Sequence, residues 1–452
     1  MRSCSDLTTG GITSSMLLFA FPMIVGNMLQ QLYNIVDMVI VGRCVGSAAL
    51  AAVGSSYTLT VFLTSVVLGL CMGCGALFSN YYGASDYRSL RRGVFISFVL
   101  TGGVTLVLGW LSFAFLDDIM SFMRVPADVW QEMYDYLLIV LSGVVFVFVY
   151  NYSASLARAV GNSVAPLLAL AVSMVLNIGL DLLLVMVFDC GVKGAAVATV
   201  VSQVVSAVWL CVYVTVRLPY LIPRRKEMVF NARSVREIIA YSSLTCAQQS
   251  VMNFGILLVQ GLVNSFGAVV MAAFAVAVKI DSFAYMPVQD FGNAFSTFVA
   301  QNFGAGRRDR IGKAVRSAVV VSLAFCVVIS LVTVVFADTL MMMFVSDGQD
   351  DIIAVGVGYL RREGPFYFAI GWLFLLYGYY RAIGRPAMSL VLTVISLGVR
   401  VGLSYGLSAV PSIGVDGIWW SIPAGWLLAD GVGLLCGRAT LRGRGDCKST
   451  LL

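Results

Sequence analysis

Residues 164–187 read Val164-Ala-Pro-Leu-Leu-Ala-Leu-Ala-Val-Ser-Met-Val-Leu-Asn177-Ile-Gly-Leu-Asp181-Leu-Leu-Leu-Val-Met-Val187. An α-helix rises 1.5 Å per residue, so this run crosses the ~30 Å hydrocarbon of a bilayer. A barrel strand would alternate apolar and polar positions, and neither Leu180–Phe188 nor Val144–Val149 does so. Eleven further windows have the same character: 13–41, 48–79, 90–115, 133–157, 192–216, 236–264, 268–302, 314–336, 358–380, 386–409 and 412–436. The fold class is therefore an all-α polytopic membrane protein with twelve transmembrane helices. Several windows exceed the length a straight span needs, which predicts tilted or bent helices.

Composition agrees. Of 452 residues, 60% are apolar and 12% charged, against about 25% charged in an ordinary soluble domain. Too little charge is present to coat a water-facing surface, which excludes a soluble globule and a disordered chain. Histidine is absent, which removes imidazole proton relays and the usual zinc ligand and catalytic base. Without a convincing nucleophile–base pair, no enzyme is expected and no cofactor is implied. Cys71 and Cys74 form a C-x-x-C inside an apolar span and read as packing. The polar segment Met1–Gly11 precedes a span too long for a signal peptide, so no cleaved leader is expected.

The basic segments are Arg88–Arg92, Arg217 through Arg236, Arg307 through Arg316 and the tail from Arg438, and all fall on one side of the twelve spans. That bias places both termini in the cytoplasm and the chain in the cytoplasmic membrane. The net charge of +6 then serves topology and contact with anionic lipid, and nucleic acid is not an expected partner.

The sequence repeats itself. Asn80-Tyr-Tyr-Gly83-Ala84 returns at an offset of 221 as Gln301-Asn-Phe-Gly304-Ala305. Arg158-Ala-Val-Gly161 and Gly191-Val-Lys-Gly194 return at an offset of 223, as Arg381-Ala-Ile-Gly384 and Gly414-Val-Asp-Gly417. The expected organisation is a six-helix lobe over 1–216, a cytoplasmic linker over 217–235, a second six-helix lobe over 236–437 and a cytoplasmic tail over 438–452. Six spans per half preserve orientation, so a pseudo-two-fold axis along the membrane normal relates the lobes, with a cavity between them. No G-x-x-x-x-G-K-[ST] and no T-V-G-Y-G-like run is present, leaving the form of a secondary transporter.

Leaving aside the charged residues near the ends of the windows, seven ionisable residues are read as lying inside the spans: Asp37, Asp181, Lys279, Asp281, Asp290, Arg400 and Asp430. Each is expensive there and is a functional candidate. Asp37 and Asp181 share a depth in the outer half of the first lobe, which holds no base. Asn177 lies one turn before Asp181 on the same face, and Thr199 reaches a similar depth. Two carboxylates, an amide and a hydroxyl without a compensating cation suit proton uptake or binding of a small hard cation such as Na⁺. In the second lobe Lys279, Asp281 and Arg400 are expected to form a charge network, functional or purely structural. Trp419-Trp420 reads as a membrane-interface anchor.

Several motifs in combination resemble the multidrug and toxic compound extrusion (MATE) transporters over nearly the whole chain. They are Leu29-Gln-Gln-Leu-Tyr33-Asn-Ile-Val-Asp37, Gly42-Arg43-x-Val45-Gly46, Ala51-Ala-Val-Gly54, Ala157-Arg158-Ala-x-Gly161-Asn162, Leu176-Asn177-Ile-Gly-Leu-Asp181, Gly191-Val-x-Gly194-Ala195-Ala-x-Ala-Thr199 and Gln301-Asn302-x-Gly304-Ala305-Gly306. The resemblance implies export of drugs or metabolites by cation antiport, with alternating access between two lobes. It implies a first-lobe cation site at Asp37, Asn177, Asp181 and Thr199, and a hinge at Pro22, where a mid-helix proline removes a hydrogen bond. Some members build a second-lobe site from acids in spans 7 and 10. Here span 7 offers Gln248 and Gln249, and span 10 the aromatic run Phe366-Tyr-Phe368, which shifts weight to the first lobe. The expected substrates are amphipathic cations, with Gln30, Tyr33, Asn34, Tyr57, Gln248 and Phe283 as candidate cavity contacts. The expected working unit is a monomer that meets lipid and substrate only. The alternative is a lipid or lipid-linked oligosaccharide flippase of similar shape, whose phosphates Lys279 and Arg400 would suit.

Overall fold

The computed structural model describes residues 6–122, 125–345 and 349–442; residues 443–452 of the expected tail lie outside these. Every regular element among the described residues is helical. The first half runs through α1 (Ile12–Cys44), α2 (Ser47–Gly83), α3 (Tyr87–Ala114), the short α4 (Leu116–Phe122), α5 (Ala127–Ser142), α6 (Val144–Ala159) and α7 (Val164–Asp181). A π-helical turn, Leu182–Val187, then leads to α8 (Gly191–Arg217). Two 3-10 turns, Pro219–Leu221 and Arg225–Glu227, precede the second half. It comprises α9 (Ala232–Asn264), α10 (Ala268–Gly304), α11 (Arg308–Val335), the short α12 (Ala337–Met342), α13 (Asp350–Glu363), α14 (Tyr367–Ala382), α15 (Pro386–Ser408) and α16 (Asp416–Arg442).

Among the described residues ten of these helices are long and apolar enough to span a membrane alone, and α5 with α6 makes an eleventh, bent by 43°. The twelfth expected span, 358–380, falls on α13 and α14, which a 3-10 turn at Gly364–Phe366 interrupts. The chain is thus a twelve-span membrane protein in which two spans are broken. Pro365 cannot donate to a helical ladder, and Ser330 Oγ donates to the Gly364 carbonyl at 2.6 Å. That carbonyl also accepts from the Tyr367 amide, so the interrupted backbone there is doubly satisfied away from lipid. The bend between α5 and α6 lies at Gly143, which Gly364 matches at the same offset of 221, so the repeat extends to its breaks. The short helices α4 and α12, which begin at Leu116 and Ala337, share that offset.

Chain contacts divide the molecule into two compact units. One contains Met1–Ser250, Ala294–Ala314 and Ala382–Gly384; the other contains Val251–Asn293, Val315–Arg381 and Arg385–Leu452. The expected lobe boundary at 217–235 is therefore not where packing divides the chain, and residues 232–235 of that linker already belong to α9.

The reason is a clamp within the first unit, built from repeat-related residues. Asn80 Nδ2 donates to the Ala382 carbonyl at 3.0 Å, and Gln301 Nε2 donates to the Ala159 carbonyl at 2.7 Å. Asn80 and Gln301 are repeat partners, as are Ala159 and Ala382. Between them the ends of α2 and α10 meet backbone to backbone: a Cβ on Gly83 would collide with the Gln301 carbonyl oxygen, and one on Gly304 with that of Asn80. The segment before α1 is strapped to the same place. Asn302 Nδ2 donates to the Leu7 carbonyl at 3.1 Å, and Arg310 donates to the carbonyls of Gly10 and Thr9 at 3.0 and 3.1 Å.

The inter-half segment is pinned too. Arg91 grips Glu227 through two bonds of 2.7 Å, and the Arg224 amide adds a third at 3.0 Å. These donors hold the Glu227 carboxyl below its ordinary value of 4.5. A depressed carboxyl contributes stability above its unfolded value and loses it as pH falls through the folded one. Acidifying purified protein below about pH 4.5 is therefore expected to lower the melting temperature more in wild type than in Glu227→Gln. Gly83→Ala and Gly304→Ala are each expected to cost about 1–3 kcal/mol by overpacking, read as a lower melting temperature in detergent. Gly103→Ala, with open space around it, should leave melting unchanged or raise it.

Candidate cation site in the first unit

Asn177 and Asp181 lie one turn apart on the same face of α7, which passes into the π turn at Leu182. Asp37 stands on α1 and Thr199 on α8; α1 packs against α7, and α8 packs against both. All four side chains are buried, with exposures of 6% for Asp37, 1% for Asn177, 0% for Asp181 and 7% for Thr199. The carboxyl groups of Asp37 and Asp181 face one another at hydrogen-bonding range. Asp37 Oδ1, both Asp181 oxygens, both polar atoms of the Asn177 amide and Thr199 Oγ1 have no hydrogen-bond partner among the described residues. An apolar cluster closes the site one turn farther along each helix: Ile40 and Val41 beyond Asp37, Val185 beyond Asp181, and Ala195 and Ala196 before Thr199.

Two facing carboxylates repel by about 4 kcal/mol at 4 Å and an effective dielectric constant of 20. Among the described residues no Lys or Arg forms an ion pair with either acid. The arrangement is satisfied in one of two ways. A proton shared between the acids makes one a donor, or a small hard cation takes the carboxylate, amide and hydroxyl oxygens as ligands. The second half shows what the same frame does without that task. The repeat positions of Asn177 and Asp181 are Arg400 and Ser404, and Ser404 Oγ pairs with Ser421 Oγ at 2.6 Å. There the hydroxyl at the Asp181 position has a hydroxyl partner, while Arg400 Nε is buried without one among the described residues.

Tyr33 on α1 and Tyr136 on α5 lie within electrostatic reach of both acids. Tyr33 was expected as a cavity contact, whereas Tyr136 was missed. Also missed were Ser202 and Gln203, whose Oγ and Oε1 are buried without partners one turn beyond Thr199; polar residues at i+3 and i+4 of α8 were the available signal. Pro22 is buried inside an α1 that continues unbroken from Ile12 to Cys44. Of the other candidate contacts, Gln30 is exposed, Asn34 is half-buried and bonded to Gln31 at 3.3 Å, and Tyr57 is exposed. Gln248 is buried with its Oε1 unpartnered. Phe283 is exposed on α10, in the second unit.

The second-unit charges differ from expectation. Asp281 accepts bonds from Tyr359 Oη at 2.6 Å and from Tyr367 Oη, and it stands beside Glu363 and within reach of Arg400. Lys279 is exposed: two residues along a helix turn through about 200°, so Lys279 and Asp281 leave opposite sides of α10. Its expected place in the network belongs to Glu363, the last residue of α13, which is 4% exposed. Arg361 and Arg362 turn away to Asp338 and Asp416, at 2.7 and 2.8 Å, and Glu363 faces in. Trp419 is likewise buried, stacked on Phe274 at 5.5 Å, rather than anchored at an interface.

The chain is similar to known proteins over most of its length. The sequence model of the MatE family matches twice, over residues 22–183 and 245–406, two segments offset by 223 as the internal repeat requires. The probable multidrug resistance protein YpnP of Bacillus subtilis is 30% identical over 438 residues, covering 96% of this chain and 94% of its own. The multidrug export protein MepA of Staphylococcus aureus is 24% identical over 91% of this chain and 90% of its own. A transporter of the MOP superfamily from Pyrococcus furiosus, described as having a binding pocket of reverse polarity, superposes with a TM-score of 0.91 at 21% identity, covering 98% of each chain. A MATE structure in the bent conformation gives 0.88 at 21% identity, over 96% of this chain and 97% of its own.

Neutralising one acid should relieve the repulsion between the pair. Asp181→Asn is expected to raise the melting temperature in ion-free detergent at pH 8. Adding Asp37→Asn should yield less than the sum of the two single effects, because residues in contact are not additive. Two independent, additive shifts would show that the acids do not interact.

Proposed function

This chain belongs to the MatE family of transporters, and we propose that it exports amphipathic, cationic drugs or metabolites by alternating access, driven by inward flow of H⁺ or Na⁺. The observation that carries the coupling is the buried Asp37–Asp181 pair: Asp37 Oδ1, both Asp181 oxygens and the side-chain oxygens of Asn177 and Thr199 find no partner among the described residues. The curated relatives, named as multidrug resistance and export proteins, support the choice of substrate class. The chain works in the cytoplasmic membrane with both termini inside, as a monomer and without a bound cofactor.

In this reading the ion reaches the acids from outside when the apolar cluster over them parts. Binding removes the repulsion between the carboxylates, so the bound and free forms favour different packings of α1 against α7 and α8. A ligand shifts a conformational equilibrium only by its differential affinity for the two states, and here that difference is the desolvation of two acids. The clamp of Gly83, Gly304, Asn80 and Gln301 opens when the cytoplasmic side admits substrate. Pro22 supplies α1 with a point where the helical ladder already lacks a bond. Tyr33 and Tyr57 offer aromatic faces to a cationic substrate.

The flippase reading needs a free cationic surface for phosphates. Arg400 lies beside Asp281 and Glu363, which leaves Lys279 alone to serve it, and this favours the antiporter.

The test is efflux of ethidium from proteoliposomes under an imposed proton or sodium gradient. Wild type is expected to respond to at least one of the two gradients. Asp37→Asn and Asp181→Asn should each lose at least tenfold of the gradient-driven rate, about 1.4 kcal/mol, while retaining downhill ethidium exchange. Full gradient-driven transport by both variants would sink the coupling; lipid flipping without ethidium movement would replace the export reading.

A further inference from the structure

Asp430 is a buried acid for which the first-unit site has no use. It lies on α16, 4% exposed, and neither of its carboxylate oxygens has a hydrogen-bond partner among the described residues. The other acids buried in the second unit have charged or hydrogen-bonding neighbours. Asp281 accepts from two tyrosines, Glu363, whose Oε2 is itself unpartnered, lies within electrostatic reach of Arg400, and Asp290 has a partner.

The fold itself does not require an acid at 430. At the offset of 223 set by Gly194 and Gly417, the position equivalent to Asp430 is Ala207 on α8, which is fully buried. The register is secure, because the buried residues Gly194, Ala195, Ala196, Ser202 and Leu210 of α8 fall on Gly417, Ile418, Trp419, Gly425 and Gly433 of α16, all of them buried or tightly packed. One copy of the same helix face thus packs a methyl group where the other packs a carboxyl group.

Among the described residues no Lys or Arg forms an ion pair with it. On α14, Tyr377 lies within reach of Asp430, and the Tyr380 hydroxyl is engaged by the Gly433 carbonyl at 2.6 Å. On α15, the nearby hydroxyls of Ser389 and Thr393 donate to carbonyls; Arg400 packs beside Gly425, more than a turn away. α13 meets α16 near its start, where Tyr359 packs on Trp419 and Arg362 pairs with Asp416. On α16 itself the titratable neighbour is Cys436, two turns on.

We propose that Asp430 is a second proton-binding carboxyl group, separate from the Asp37–Asp181 pair and carried by the second unit, that takes up and releases one proton in each transport cycle. The step is COO⁻ + H⁺ ⇌ COOH, and no other co-reactant enters. The proposal rests on the coupling proposed above. Asp430 follows Asp416 on α16 by about 21 Å along the axis at 1.5 Å per residue, which in the proposed topology is the cytoplasmic half of the membrane. Asp37 and Asp181 lie in the outer half. A buried acid without a counter-charge is neutral in the packed state and ionises only when water reaches it, so the state that admits cytoplasmic water is the one in which its proton leaves.

The number of protons per substrate tests this. Full-length protein in liposomes is given a proton gradient with the membrane potential clamped at zero, and steady-state accumulation of ethidium is measured against the gradient. With two protons coupled, one pH unit sustains about a hundredfold accumulation, and with one proton about tenfold. Asp430→Asn, and Asp430→Ala as the residue found in the other repeat, are expected to fall from the first slope to the second, while Asp430→Glu keeps the first. Melting temperatures of the variants report folding, and infrared difference spectra of the protonated-carboxyl stretch report the group directly. A wild-type slope in Asp430→Asn would overturn the proposal. If wild type shows no proton slope, the proton-coupling reading fails by itself. The infrared band lost in Asp430→Asn then decides: a band that titrates between pH 5 and 9 keeps Asp430 as a proton site, and one that does not titrate removes it.

Discussion

No water stands in the middle of a bilayer to solvate a charge or a free carbonyl, and that one deficit shapes both the regular and irregular parts of this molecule. It forces the chain into helices, because only a helix satisfies its own backbone within one segment. It also explains how irregular backbone is tolerated. At Gly364–Pro365 the interruption is covered by the Ser330 hydroxyl, and at Gly143 the next helix begins at once. Where polar groups are left unsatisfied, the same deficit makes them conspicuous. Asp37, Asn177, Asp181 and Thr199 would be ordinary on a wet surface; among buried helices their unpartnered atoms represent several kcal/mol that something other than the protein must offset.

Internal duplication turns this into a comparison within one chain. The halves share spans, breaks, short helices and the clamp residues, so agreement between them marks what the scaffold needs. Chemistry lies in the disagreements. Asp181 corresponds to Ser404, which has a hydroxyl partner in Ser421; Asp430 corresponds to Ala207, which needs none. Neither acid is something the scaffold needs in its other copy, which is why both stand in the proposed coupling.

The spans and the first-unit site were legible in the sequence because both rest on one-dimensional signals, apolar length and the i, i+4 spacing of Asn177 and Asp181. What was not legible depends on rotation and termination. Lys279 and Asp281 are neighbours in the chain and strangers in space, because residues two apart on a helix point in nearly opposite directions. Glu363 was hidden beside Arg361 and Arg362, a charged run that reads as the wet end of the 358–380 window, although the fold turns both arginines away to Asp338 and Asp416. The breaks at Gly143 and Gly364 were masked by the 44 glycines of the chain, most of which interrupt nothing. The π turn after Asp181 has no compositional signature at all.

The clamp sets the scale on which the proposed coupling has to act. Its repeat-related bonds run from neutral amides to carbonyls, each worth about 0.5–1.5 kcal/mol net, and Arg310 and Asn302 add a few more to the strap at Leu7–Gly10. The glycine contacts contribute close packing without directional strength. Opening such a clamp costs a few kcal/mol, which one elementary charge moving through 100 mV, about 2.3 kcal/mol, supplies in large part. A clamp built of buried ion pairs would cost more than one ion could deliver, and one without side-chain bonds would not hold the side closed. The neutral amides at positions 80 and 301 suit the proposed cycle, driven by one or two ions.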